Sequence, residues 1–247
     1  EYIKKAPKPV TSIALWDKQL DDWKIIILDK DNKIEHTVDK QGREVIPVKR
    51  ESDLLEKFLN TLEEIEPDIL IGYNSDYFDI PYLYYRINNT LGDRYANRMS
   101  PIKIVEEQTW NEDVPIRIAG VTSLDYMRLH KKYSFKDEPS FKLDALGEKY
   151  VGQKKIEYEG SLDRLFAEDK EKFIEYNFVD VLILKKLDEK FQYIDLTKNL
   201  AHKGKVLYEE VYLSSKIQDG AISGWLLSQN IIPPNKDLNP LIRFSTF

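Results

Sequence analysis

The sequence contains no cysteine among its 247 residues and only three histidines. A chain without cysteine forms no disulfides and offers no thiolate ligands, so disulfide-stabilised folds and cysteine-based zinc modules are excluded. Long apolar runs are also missing, since the IIIL run at 25–28 is far shorter than the ~18 residues of a membrane span. We therefore expect a cytoplasmic protein with no membrane partner.

Positive charge is also in short supply, because 37 Lys and Arg face 43 Asp and Glu, for a net charge of -6. A protein that coats duplex DNA usually carries a basic surface, so the acidic balance argues against passive DNA coating. It does not argue against a nuclease, whose carboxylates hold cations that in turn hold phosphate. The sequence also lacks the glycine-rich loops that bind nucleotide phosphates.

The hydrophobic pattern predicts a mixed α/β protein whose sheet is flanked by helices. Short apolar runs predict strands, and the longer amphipathic segments predict helices. Two alternating segments with a polar tip between them predict a protruding β-hairpin, and Pro47 places its own strand at a sheet edge. The predicted strands are 10–17, 23–29, 45–48, 68–73 and 121–125, the hairpin is 102–118, and the helices are 52–64, 81–91, 125–132, 142–150 and 169–192.

Asp79 lies between Phe78 and Ile80, just beyond the predicted strand at 68–73. A charged group beside apolar neighbours is costly unless it is paired or bound. One interpretation is a helix cap, because Asp is a preferred cap residue and Pro81 suits the first turn of a helix. The other is a metal ligand, because functional groups in α/β sheets gather at the carboxyl ends of strands.

Asp180 interrupts the apolar stripe of the longest predicted helix, with Tyr176 one turn earlier on the same face. A buried carboxylate needs a partner, and a structural ion pair is one interpretation. The other is that Asp180, Asp79 and a third acid hold Mg²⁺ together with substrate phosphate oxygens. Two such ions about 4 Å apart activate a water and stabilise the leaving oxygen of a phosphodiester.

Two motifs carry a resemblance to a known family. The N-x-x-x-F-D pattern at 74–79 and the Y-x-x-x-D pattern at 176–180 resemble the second and third exonuclease motifs of family B DNA polymerases. The likeness extends to the replicative polymerases of T-even-type bacteriophages through stretches such as GYNSDYFDIPYLYYRI and IEYNFVDVLIL. It implies a ribonuclease-H-like (DnaQ-like) exonuclease fold, a helical C-terminal extension and 3′→5′ removal of mispaired nucleotides.

The resemblance also implies a metal site. Glu1, Asp79 and Asp180 would bind two divalent cations, Mg²⁺ or Mn²⁺, and Tyr176 would orient the attacking water. Glu1 stands where the second acid of the family's D-x-E motif is expected, so the paired Asp would lie two positions before it. These four residues are the predicted catalytic set.

Three further residues are predicted to bind nucleic acid. The resemblance implies that Asn74 and Phe78 lie close to the terminal nucleotide, where an aromatic ring can stack on a base. Lys142 precedes Leu143 at a position where the family often has Ser or Thr in a DNA-contacting motif. A lysine can still meet a phosphate there.

The sequence pattern places a domain boundary near 195, and the resemblance assigns a role to each side of it. Residues 1–195 would form the exonuclease domain, with a truncated first strand, and 196–247 a helical connection towards a palm domain. The expected partners are single-stranded DNA or a primer 3′ end, and the palm, fingers and thumb of a full-length polymerase, in a monomer. Two alternatives remain: an impaired fragment that only binds single-stranded DNA ends, because the Asp paired with Glu1 lies outside the sequence, and an unrelated α/β domain with chance motifs.

Overall fold

The structure is a computed structural model that describes residues 1–39, 41–108, 115–134 and 137–233. The chain divides into two compact units, Glu1–Ile194 and Asp195–Phe247. Within the described ranges, no helix is long and apolar enough to cross a membrane. The assignment of 1–195 as a catalytic domain and 196–247 as a connection to further domains stays a prediction.

Eight strands form in the described part of the first unit, together with eight helices. The strands are β1 Ser12–Asp17, β2 Asp22–Leu28, β3 Thr37–Val38, β4 Arg43–Val48, β5 Ile69–Gly72, β6 Val105–Glu107, β7 Ile116–Ile118 and β8 Thr122–Asp125. The helices are α1 Tyr2–Lys5, α2 Glu51–Ile65, α3 Asp79–Leu91, α4 Asp93–Ala96, α5 Tyr126–Tyr133, α6 Leu143–Leu146, α7 Leu162–Glu168 and α8 Lys170–Phe191, with a 3-10 turn at Asn97–Met99 and a π turn at Gly147–Val151.

The second unit is helical in its described part. Helix α9, Tyr193–Gly204, starts at the end of the first unit and continues into the second. A 3-10 turn at Tyr208–Tyr212 and helix α10, Ser214–Ser228, follow it. This confirms the predicted helical C-terminal extension.

Strand β2 organises the core of the first unit, in a sheet of order β1-β2-β4-β3. Its side chains alternate between the two faces of the sheet, and both faces are covered. Ile26 and Leu28 belong to the core shared with α2 and α3, whereas Ile25 and Ile27 pack with residues of α7 and α8. Each of the three isoleucines is 0% exposed, and full burial of such a side chain stabilises the fold by ~1.5–3 kcal/mol. The continuous apolar run is therefore explained by burial on both faces.

The prediction that residues 45–48 form an edge strand was wrong. Strand β4 lies between β2, to which it is parallel, and β3, to which it is antiparallel. Among the described residues, β3 pairs with Glu44 and Val45, so Pro47 lies beyond the end of that ladder. The short partner strand is what lets a proline occupy an interior position.

The predicted hairpin is confirmed in its described part, where β6 and β7 pair antiparallel with Val105 opposite Ile118. The polar tip was predicted at 106–113; Glu106 and Glu107 belong to β6, and residues 109–114 lie outside the described residues. The first arm begins at Val105 rather than at Ile102, because the chain turns just before it. The N–H of Ile102 donates to Ser100 Oγ at 3.2 Å, and Lys103 adopts a left-handed φ of 61°. The structure is thus a mixed α/β fold with helices flanking the sheets, as predicted.

Candidate active site

The parallel pair β5 and β8 brings two chain segments to one sheet end, with Gly72 opposite Asp125. Beyond Gly72 the chain turns so sharply that a Cβ at Gly72 would lie 2.4 Å from Ser75 Cβ, which only a glycine avoids. Asn74 adopts a left-handed φ of 62°, which Asn tolerates better than most residues. The N–H of Phe78 then donates to Asn74 O at 3.2 Å, and the turn leads directly into α3.

Asp79 is the first residue of α3, and Phe78 occupies the cap position. The cap position carries no side-chain hydrogen bond to the helix, so the helix-cap interpretation of Asp79 was wrong. The reason lies in the backbone, because the turn from Asn74 and Ser75 starts the helix one residue earlier than a cap at Asp79 requires. A negative charge in the first turn remains favourable for the helix dipole.

The electrostatic environment of Asp79 disfavours its charge. The residue is exposed at the surface, yet its carboxylate lies close enough to protein atoms for desolvation to act on it. That desolvation, reinforced by the negative charges of Asp125 and Asp180, raises the pKa of Asp79 to about 6. A cation would relieve the repulsion between these carboxylates, since like charges close together favour protonation or a counterion.

Asp180 lies half-buried on α8 and forms an ion pair with Lys155. The Lys155 Nζ lies 2.8 Å from Asp180 Oδ1 and 3.0 Å from Oδ2. Burial raises the pKa of Asp180, Lys155 opposes that rise, and the charge of Asp144 adds to it. The structure therefore bears out the ion-pair interpretation of Asp180. The pair lies close to Asp79, another carboxylate that is predicted to bind metal.

Tyr176 shares this neighbourhood, as its spacing from Asp180 predicts. Lys155 Nζ donates to Tyr176 Oη at 3.4 Å and also lies 5.3 Å from the centre of the ring. The Tyr158 ring packs edge-on against Tyr176 at 5.4 Å. Desolvation and the charge of Asp180 raise the pKa of Tyr176, so its hydroxyl stays protonated and able to donate a hydrogen bond.

Lys155 is a residue that the sequence pattern did not single out. It lies in an irregular segment, and its backbone N–H donates to Asp144 Oδ1 at 3.0 Å. The neighbouring Lys154 pairs instead with Glu148 at 2.8 Å. No periodicity distinguishes two adjacent lysines in a loop, so only the tertiary structure shows which one meets Asp180.

Glu1 is placed differently from the other predicted ligands. Its side chain is 84% exposed and pairs with Lys5 at 2.8 Å, across the single turn of α1. None of its contacts in the described structure reaches Asp79 or Asp180. In the same residues, no group of three or more His, Cys, Asp or Glu side chains is arranged to hold a metal ion. The role of Glu1 as a ligand stays a prediction.

The predicted DNA-binding residues lie on two neighbouring segments. Asn74 and Phe78 are exposed on the turn before Asp79, and the Phe78 ring stacks on Tyr82 with centroids 5.5 Å apart. Lys142 is exposed at the start of α6. The hydroxyl of Tyr73 donates to the carbonyl of Phe141, which holds the segment before Lys142 against the turn. Their contact with DNA stays a prediction.

Comparison with known proteins connects this arrangement to a family. Residues 3–146 match the family described as DNA polymerase family B, exonuclease domain. The DNA-directed DNA polymerase of Escherichia phage RB69 is 33% identical over 201 residues, which are 79% of this chain and 22% of that protein. The corresponding enzyme of Enterobacteria phage T4 is 29% identical over 196 residues, 77% of this chain and 22% of the relative.

The likeness reaches beyond phages. DNA polymerase 1 of Saccharolobus solfataricus is 28% identical over 193 residues, 72% of this chain and 19% of that protein. The chain thus spans about a fifth of the length of these relatives. Its sheets flanked by helices are consistent with the ribonuclease-H-like fold of the matched domain, and the chain belongs to the family of exonuclease domains of family B DNA polymerases.

Proposed function

We propose that this chain is a divalent-metal-dependent 3′→5′ exonuclease that removes terminal nucleotides from single-stranded DNA. In a complete polymerase this reaction would be proofreading. The observation that carries the proposal is that a chain of the exonuclease-domain family holds the carboxylates of Asp79 and Asp180 close enough for the charge of Asp180 to act on Asp79. Such a pair is poised to accept a cation.

The residues fit a hard divalent cation in part. Asp79 and Asp180 offer carboxylate oxygens, the donors that Mg²⁺ and Mn²⁺ prefer. Glu1, as an exposed residue paired with Lys5, does not complete that set in its observed position. When bound, the cations would supply an activated water and stabilise the leaving oxygen of the phosphodiester.

The side chains around Asp180 have their own tasks. Tyr176, kept protonated by its surroundings, would hold the attacking water through its hydroxyl. Lys155 fixes the position of that hydroxyl and of the Asp180 carboxylate, because it contacts both. Its positive charge also offsets part of the negative charge that accumulates when a phosphate approaches.

The turn before Asp79 would bind the substrate end. Phe78 has 44% of its surface exposed and is backed by Tyr82, which leaves a ring available for stacking on a base. Asn74 presents an amide on the same turn, and Lys142 would meet a backbone phosphate. Stacking and phosphate contacts tolerate any base, as removal of an arbitrary terminal nucleotide requires.

A second candidate function is binding of single-stranded DNA ends without cleavage. The position of Glu1 favours it, because a site with two converging acids instead of three or four would bind metal weakly. Under this hypothesis the chain retains an oligonucleotide but leaves its length unchanged. The two hypotheses are therefore separated by measuring binding and cleavage on the same sample.

The test uses 5′-labelled single-stranded DNA, Mg²⁺, and two polypeptides: the chain as it stands, and one in which an Asp lies two positions before Glu1. We expect the extended polypeptide to shorten the DNA from its 3′ end and the Asp79→Ala variant to abolish that shortening. Asp31→Ala is the matched control, because Asp31 is an exposed acid paired with Lys33. No shortening by the extended polypeptide, or unchanged shortening by Asp79→Ala, would contradict the proposal.

A further inference from the structure

Two carboxylates near the site are more deeply buried than any of the three predicted metal ligands. Asp125 is 0% exposed and Asp76 is 2% exposed. Burial of an ionised carboxylate is costly unless hydrogen bonds compensate it. Neither residue is proposed to bind the metal or the substrate, so their burial calls for another explanation.

Asp125 does more than cap a helix. At the end of β8 its side chain accepts from the N–H groups of Met127 at 2.9 Å and Arg128 at 3.3 Å, which caps α5. The same carboxylate also accepts from the N–H of Asn74 at 3.1 Å and of Asp76 at 3.4 Å. A cap needs only the first two bonds, so the other two tie the turn after β5 to the start of α5.

Asp76 lies on the turn after β5 and accepts hydrogen bonds from β8 and α5. Its Oδ1 accepts from Ser123 Oγ at 2.6 Å, and its Oδ2 accepts from Arg128 Nη1 at 2.9 Å. Each carboxylate thus belongs to one segment and is hydrogen-bonded by the other. We call the pair Asp76 and Asp125 the carboxylate brace. Because buried charged hydrogen bonds weaken sharply when misaligned, the brace fixes the two segments in one register.

We propose that the carboxylate brace positions the 74–79 turn, and that Asp125 is a positioning residue for Asn74 and Asp79. Asn74 lies on the exposed part of this turn with a left-handed backbone, and its N–H donates to the Asp125 carboxylate. The consequence for catalysis rests on the proposed exonuclease function. The structural part of the inference does not, and it is tested separately.

The structural test is hydrogen exchange at the amides of Asn74 and Asp76. In Asp125→Ala both amides lose their acceptor, and we expect their exchange to accelerate by about tenfold or more. Asp125→Asn keeps a carbonyl oxygen that can accept from Asn74, so exchange at Asn74 should stay within about threefold of the parent. Ser161→Ala is the control, because it removes the cap of α7 and touches neither amide.

The functional test is steady-state cleavage of single-stranded DNA, well below the melting temperature of each variant. A displaced turn misplaces Asn74 and Phe78, so Asp125→Ala should raise KM as well as lower kcat, each by about tenfold. A merely structural loss would reduce the folded fraction, and hence the apparent kcat, at unchanged KM. Asp125→Asn should restore KM to within about threefold of the parent value.

Several outcomes decide the inference. Unchanged exchange at Asn74 and Asp76 in Asp125→Ala would overturn it, as would an Asp125→Asn variant with KM as high as Asp125→Ala. If Asp125→Ala does not fold, Ser123→Ala replaces it: this variant removes one bond to Asp76 and should speed exchange at the Asp76 amide, and no change there overturns the brace. If the polypeptide with an Asp two positions before Glu1 shows no cleavage, the exonuclease proposal fails while the exchange data still decide the brace.

Discussion

The turn at the end of β5 and the middle of α8 hold their acids in opposite ways. Asp79 on the turn faces the negative charges of Asp125 and Asp180, and in the described structure it has no ion-pair partner. Asp180 on α8 lies 2.8 Å from the ammonium group of Lys155. One half of the site therefore carries its own counterion, while the other half has charge to offer to an external cation.

Removal of Asp79 or of Asp180 should produce the largest effects on cleavage, and the two variants should differ in stability. Asp79→Ala and Asp180→Ala should each slow cleavage by about a thousandfold, or about 4 kcal/mol of transition-state stabilisation. Their stabilities should diverge, because Asp180→Ala leaves half-buried Lys155 without its carboxylate and costs about 1–3 kcal/mol, whereas Asp79→Ala relieves repulsion. Single-turnover cleavage and urea unfolding measure the two effects. Equal loss of stability in both variants would remove the distinction between the two regions.

Lys155→Met removes the counterion of Asp180, so Asp180, like Asp79, is left without an ion-pair partner among the described residues. Cleavage should fall by about tenfold to a hundredfold, because Tyr176 and Asp180 lose the group that orients them. Affinity for Mg²⁺ should rise, since the ammonium no longer competes for the carboxylate. A Mg²⁺ titration of the cleavage rate reports both quantities.

Lys154→Met is the matched control for Lys155→Met. It removes an adjacent lysine that pairs with Glu148 at the surface, and neither the rate nor the Mg²⁺ dependence should change. If both variants behave alike, the effect comes from net charge and the ion pair with Asp180 is not responsible.

Divalent cations should stabilise the fold through the Asp79 region. At about ten times its dissociation constant a cation contributes about 1.4 kcal/mol, which for a chain of this size is a rise in Tm of about 3–6 °C. Asp79→Asn should lose most of that rise, and Asp31→Asn should retain it. Thermal unfolding with and without Mg²⁺ is the measurement. An equal rise in Tm for Asp79→Asn and Asp31→Asn would mean that the cation does not bind at Asp79.

The sequence predicted features that depend on local periodicity. The apolar run at 25–28 predicted a buried strand, and Ile25 to Ile27 are fully buried in β2. The positions of Asp180 and Tyr176 on one helix face follow from helical spacing, and Lys155 contacts both residues. Where a rigid element fixes the direction of a side chain, spacing alone was sufficient.

What escaped prediction depends on partners far apart in the chain. Lys155 reaches Asp180 from an irregular loop, and Asp125 has the local sequence of an ordinary helix cap while also holding Asn74. The cap interpretation of Asp79 failed because the backbone turn places Phe78 at the cap position and makes Asp79 the first helical residue. The pattern within a helix or strand predicts which face a residue occupies, but it does not predict which residue from a distant part of the chain contacts it.

The smallest expected effect concerns the stability of Asp79→Asn without metal. The pKa of Asp79 is about 6 in the folded chain against an ordinary value of 3.8, so the folded state holds a proton that the unfolded chain releases between these values. The stability of the parent therefore falls as pH rises through that window, and the cost is complete above about pH 6. Since Asp79 is open to solvent, screening limits the gain in Asp79→Asn to below about 1 kcal/mol, or about 2–4 °C in Tm.

Asp53 provides a control of opposite sign. Its hydrogen bonds with Arg50 hold the pKa of Asp53 below its ordinary value, so its contribution is present above that value and is lost as pH falls. Asp53→Asn should therefore be less stable than the parent at pH 7.5 and approach it in acid, whereas Asp79→Asn should be more stable at pH 7.5 and approach it in acid. Thermal unfolding of the three proteins at several pH values, with a chelator present, separates the trends. The Tm of Asp79→Asn minus that of the parent should grow between pH 4 and 7.5. If it does not, Asp79 on the turn after β5 is not destabilised by neighbouring negative charge, and the contrast with Asp180 on α8 is lost.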